Sequence, residues 1–83
     1  MIHKVKTYLK DIAKNHTQTE TKQIVKKLVQ HPDLTEIEKW LIYYTYGEGR
    51  MTANTCAKLG LGECDYYFKQ KLALTKLYYI LGL

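Results

Sequence analysis

The sequence predicts an all-α fold, a small five-helix domain with a C-terminal helix-turn-helix, and three observations carry that expectation. Apolar residues recur at three- and four-residue spacing along most of the chain, and no stretch alternates strongly. Pro32 is the only proline, so interior helix breakers are scarce. Two Thr-x-x-Glu motifs, each ahead of an apolar run, mark helix starts. At 83 residues the chain reads as a single domain over 1–83. A domain this short buries only about 60% of the surface its unfolded chain exposes. The eight tyrosines suit such a thin core, because each can bury a ring while its hydroxyl stays near water.

The elements follow in order. Ile2, Val5, Leu9 and Ile12 recur at helical spacing with Lys4, Lys6, Lys10 and Lys14 off the stripe, which predicts an amphipathic helix over about 2–15. Thr17 and Glu20 form a capping box, and a second helix follows to about Gln30, burying Ile24, Val25, Leu28 and Val29. His31-Pro32 ends it, since a residue before proline avoids helical angles. Thr35 and Glu38 open a third helix over about 36–46, with Ile37, Trp40, Leu41 and Tyr44 on one face and Gly47 as the left-handed residue after its end. Gly47-Glu48-Gly49 lacks the lysine and serine of a phosphate loop and reads as a turn. Thr52 caps a short fourth helix over about 53–59, closed by Gly60, with Met51 and Cys56 as a hydrophobic staple. The last helix runs over about 63–81. The helix-turn-helix thus spans about Thr52 to Leu81, with Gly60 making the turn, Leu61 filling the corner, and Leu59, Tyr66, Ala73 and Leu77 facing inward.

Charge divides the chain. Residues 1–31, a basic helical hairpin, hold seven lysines against Asp11 and Glu20. Residues 32–83 hold five lysines and Arg50 against six acids and are neutral. The basic surface therefore belongs to the first third, where it is either a set of solvated helix faces or an anion-binding surface.

The segment from Leu34 to Leu83 resembles the phage-borne late transcription regulators named after the autolysin regulator ArpU, which are similar to the C-terminal helix-turn-helix of sigma factors. The residues that carry the resemblance are Leu34-Thr35-Glu36-Ile37-Glu38-Lys39-Trp40-Leu41-Ile42-Tyr43-Tyr44, the turn Lys58-Leu59-Gly60-Leu61, the pair Tyr66-Tyr67, and Ala73-Leu74 with Leu77-Tyr78-Tyr79-Ile80-Leu81-Gly82-Leu83. The resemblance implies a bacterial or phage origin and double-stranded DNA read by the last helix. Where that family places a serine cap and a basic residue, this chain has Gly62 and Glu63, with Asp65 close behind. Acids there suit the helix dipole and repel phosphate, although Glu can accept from cytosine. Where the family tends to place Arg or Lys, this chain has Phe68 and Leu72.

With Thr75 and Tyr79, those two residues form an i, i+4, i+7, i+11 stripe apart from the inward face. Either the first two helices cover this stripe, or Phe68, Leu72, Thr75 and Tyr79 form a homodimer seam or a protein-docking site.

Two functional expectations result. In the first, the chain is a phage or prophage transcription regulator in the bacterial cytoplasm. Glu63, Cys64, Tyr67, Phe68 and Lys71 read the groove. Arg50, Lys58, Lys69 and Lys76, with Lys4, Lys6, Lys10 and Lys14, hold phosphates. In the second, the same helices serve protein binding, directed at host RNA polymerase or, in the manner of a small anti-CRISPR inhibitor, at a defence nuclease. Neither needs a cofactor. Cys56 and Cys64, with His3, His16 and His31, make no zinc pattern, and no nucleophile–base pairing is visible, so the chain reads as a non-enzyme. The start, Met1 to Lys14, is too charged for a secretory core. Free thiols in a reducing cytoplasm and no membrane span complete the expectation.

Overall fold

The computed structural model describes residues 2–83. Five α-helices follow one another: α1 Ile2–Asn15, α2 Gln18–Leu28, α3 Glu36–Ile42, α4 Thr52–Leu59 and α5 Glu63–Ile80. A π-helical turn, Tyr43–Gly47, continues α3. No strand occurs among the described residues. The fold is all-α, as the spacing predicts.

Both capping boxes form. Thr17 Oγ1 accepts from the Glu20 N–H at 3.2 Å, and Glu20 Oε1 accepts from the Thr17 N–H at 2.9 Å. Thr35 and Glu38 repeat the arrangement at 3.2 and 2.8 Å. Each box satisfies two backbone donors that a helix start would otherwise leave unpaired.

The π turn widens the end of α3. Glu48 N–H reaches back five residues to the Tyr43 carbonyl at 2.9 Å. Against expectation, Gly47 is not left-handed; Gly49 is, with φ 67°. Gly47 is needed for space instead. A Cβ on it would stand 3.1 Å from Tyr43 Cδ1 and 3.4 Å from Val25 Cβ, so this glycine lets α2 sit against the turn.

One core cluster holds the helices together, built from Val5, Leu9, Val25, Val29, Leu34, Leu41, Ile42, Tyr66, Ala73, Leu74 and Leu77. α1 packs on α5 as well as on α2, and α2 packs chiefly on the π turn. The radius of gyration is 11.7 Å, close to the ~12 Å of a folded chain of this length.

Three local expectations fail. Thr52 begins α4 as a helical residue, and Met51 occupies the cap position with no side-chain cap. Met51 is 81% exposed, so it makes no staple with half-buried Cys56. On α3, Leu41 and Ile42 point inward with Glu38, while Trp40 and Ile37 are exposed. The inward face of α3 is thus rotated from the predicted one, because Glu38 takes a core position.

Gly60 ends α4 in the left-handed conformation, φ 66° and ψ 32°. Its N–H and that of Leu61 both point to the Cys56 carbonyl, the latter at 3.0 Å, which satisfies an end-of-helix acceptor. Gly62 then stands immediately before α5. The chain therefore reverses over three residues and sends α5 back across α3 and α1.

Candidate functional site

α5 is apolar on two sides. Inward, Tyr66, Ala73, Leu74 and Leu77 are buried. The Tyr66 hydroxyl is held by Thr45 Oγ1 at 2.9 Å and by Gln70 Nε2 at 3.5 Å, so its burial leaves no stranded polar group. Nearby, burial pushes the Tyr46 hydroxyl up to about 12, with Tyr66 adding to the effect. It stays neutral at any physiological pH.

Outward, Phe68 is 64% exposed, Leu72 43% and Tyr79 70%. Thr75 is half-buried, and its hydroxyl donates to the Lys71 carbonyl at 2.8 Å rather than to a partner side chain. The expectation that α1 or α2 covers this stripe does not hold. The buried stripe of α1 is narrow, Val5 and Leu9, and it is used up between α2 and α5. Tyr67 is 51% exposed and meets the Tyr66 ring edge-on at 5.3 Å.

The residues expected to read DNA are all solvent-facing: Glu63, Cys64, Tyr67, Phe68 and Lys71 are exposed. Two of the cations expected to hold phosphates are paired within the chain. Lys76 Nζ donates to Glu38 Oε1 at 2.7 Å across α5 and α3. Arg50 Nε pairs with Glu48, and Arg50 Nη1 donates to Asn54 Oδ1 at 2.7 Å. Lys76 and Arg50 thus each neutralise a carboxylate of their own chain. Lys58 stays exposed, its Nζ 5.3 Å from the Tyr44 ring centroid. Lys69 is half-buried. On α1, Lys4, Lys10 and Lys14 are exposed and Lys6 is half-buried. Among the described residues none of these four makes an ion pair.

Glu38 is the residue whose role the sequence least betrays. It is 3% exposed. Burial pushes its carboxyl up, but the hydrogen bonds from Lys76 and Thr35 outweigh that and hold it below the ordinary carboxylate range. Its spacing marks it as a cap. Nothing local marks a partner 38 residues away.

A groove of about 580 Å³ is lined by His31, Asp33, Lys76, Tyr79 and Ile80. Tyr79, the last residue of the exposed stripe, therefore borders His31, Asp33 and Lys76. Both cysteines are free, Cys56 half-buried and Cys64 exposed. Among the described residues no three His, Cys, Asp or Glu side chains gather where they could hold a metal, and no helix is long and apolar enough to cross a membrane.

No protein-family model, curated protein or solved structure matches this chain.

Proposed function

We propose that this chain is a protein-binding module of the bacterial cytoplasm whose docking face is the outward side of α5. The observation that carries the reading is the exposure of Phe68, Leu72 and Tyr79 on one face of a helix already anchored by its opposite face. Burying a large apolar side chain fully contributes about 1.5–3 kcal/mol, so three on one stripe form a hot spot of ordinary strength. Aromatic anchors in the centre with His31, Asp33 and Lys76 at one end match the layout of a protein interface, an apolar core within a polar rim. The partner classes that suit a small phage-type regulator are host RNA polymerase, a defence nuclease, or a second copy of the chain.

A second reading, a transcription regulator that binds duplex DNA, is favoured by a different observation. Glu63, Cys64, Tyr67, Phe68 and Lys71 are all exposed on the first turns of α5, immediately after the left-handed Gly60 turn. Lys58, Lys69 and the α1 lysines would then hold phosphates. The acids at the start of α5 and the internal pairing of Lys76 and Arg50 weigh against it.

The two readings separate with one pair of variants. Tagged chain is recovered from bacterial cytoplasm, and a random duplex pool is titrated against the purified protein at low salt. Under protein docking, Phe68→Glu with Tyr79→Glu abolishes a stoichiometric protein partner, and the duplex pool shows no saturable binding. Under DNA reading, the duplex pool is enriched for discrete sequences, and Lys71→Gln relaxes that selection. Enrichment of sequences with no protein partner would contradict the leading proposal.

A further inference from the structure

The junction of α2 and α3 carries a site unrelated to the α5 face. Trp40 is the only tryptophan of the chain and is 42% exposed. Its ring is braced on two sides. Tyr44 stacks on it with centroids 5.5 Å apart and an interplanar angle of 24°, and Tyr43 meets it edge-on at 5.7 Å and 84°. Tyr44 in turn lies under two cations, Lys58 Nζ at 5.3 Å and Arg50 Cζ at 5.5 Å from its centroid. The indole is therefore the outer layer of a pre-built stack and costs little to immobilise on binding.

Trp40 and Tyr43 line a groove of about 240 Å³ together with Lys26, Lys39, Gln30 and Glu36. Tyr44 does not line it, and Trp40 keeps 42% of its surface open to solvent. Lys39 Nζ lies 3.7 Å from Glu36 Oε1, a loose pair with an 80% exposed carboxylate. Lys26 is exposed and makes no ion pair among the described residues. The volume falls below the roughly 300–1,000 Å³ of sites for drug-sized ligands, which suits one planar ring.

A part-exposed indole, two ammonium groups that outnumber the single Glu36 carboxylate, and a side-chain amide in one small groove are complementary to a base, a phosphate and a base edge. We infer that this groove binds a nucleotide unit, its base stacked on Trp40 and its phosphate held by Lys26 and Lys39. The unit is either a free nucleotide or one residue of a single strand. Duplex DNA does not present the required face, because its bases are stacked on each other.

The lone tryptophan makes the test direct, since its fluorescence reports this groove without a label. Thymidine monophosphate, an oligothymidylate strand and a blunt hairpin duplex are titrated separately at low salt. Saturable quenching is expected from the mononucleotide or the strand and not from the duplex. Equal affinity for both single-stranded probes identifies a free nucleotide as the ligand, and affinity rising with length identifies a strand. Lys26→Gln lowers the salt slope of log K by about one, while Lys27→Gln, outside the groove, leaves it unchanged. Trp40→Ala, read by anisotropy of a labelled strand, weakens binding by roughly five- to a hundredfold. Circular dichroism confirms that each variant is folded. No quenching by either single-stranded probe overturns the inference. So does equal quenching by the duplex, or an equal response of Lys26→Gln and Lys27→Gln.

Discussion

α1 and α5 lie against each other and differ in what they show to water. α1 buries Val5 and Leu9, and presents Lys4, Lys10 and Lys14 on its exposed surface. α5 buries Tyr66, Ala73, Leu74 and Leu77 and presents Phe68, Leu72 and Tyr79. Both are anchored through their inner faces, so the fold makes the same use of each. The outer face of α1 is mostly charged or polar, with Tyr8 its one large exposed hydrophobic among the described residues. A second apolar stripe on a helix is normally covered, and this chain leaves that of α5 exposed. The inner faces hold the fold, and the outer face of α5 is left exposed.

The largest effect comes from collapsing that distinction. Leu77→Ala on α5 or Leu9→Ala on α1 is expected to cost about 2–5 kcal/mol, measured by urea unfolding. Phe68→Ala or Tyr79→Ala is expected to stay within about 0.5 kcal/mol of the parent. A large loss from the outer-face variants would mean that the face is structural.

Next comes the tie between α3 and α5. Lys76→Met leaves the Glu38 carboxylate buried without its cation and is expected to cost about 1–3 kcal/mol near neutral pH. Glu38 titrates below its unfolded value of about 4.3. It therefore adds stability above that value and loses it as pH falls through the lower folded value. Removing Lys76 raises the folded value and narrows that window, so acid unfolding begins at higher pH. Midpoints of thermal unfolding across pH 2–7 check the sign.

A smaller and opposite effect is expected at Thr55. Its side chain is fully buried, and Oγ1 has no hydrogen-bond partner among the described residues. Thr55→Val keeps the shape and removes the stranded hydroxyl, so stability is unchanged or rises by up to about 1 kcal/mol. The smallest effect belongs to the outer face of α1. Lys10→Gln and Lys14→Gln are expected to alter stability by less than about 0.5 kcal/mol, because both side chains are exposed and unpaired among the described residues.

How legible all this is from sequence depends on range. The two Thr-x-x-Glu boxes and the Gly60 turn are local, and the structure builds them as the spacing predicts. Gly47 is also local, yet the left-handed residue expected there is Gly49. Which glycine turns left depends on how the π turn packs against Val25 of α2. The inward face of α3 was misread for a similar reason. Glu38 looks solvent-bound until Lys76 is brought over it by the fold, and its burial rotates Trp40 outward. The α5 stripe was legible as a stripe from its i, i+4, i+7, i+11 spacing. Its exposure was not, because that depends on how far the thin apolar face of α1 can reach.

The central claim is that the outer face of α5 contacts a partner while the outer face of α1 does not. Site-specific photo-crosslinking in bacterial cells tests it directly, with a photoreactive side chain placed at Phe68, at Tyr79, or at Lys10. A discrete protein adduct from positions 68 and 79, absent from position 10, is the predicted result. Adducts of nucleic acid alone from position 68, or the same pattern from all three positions, would contradict it.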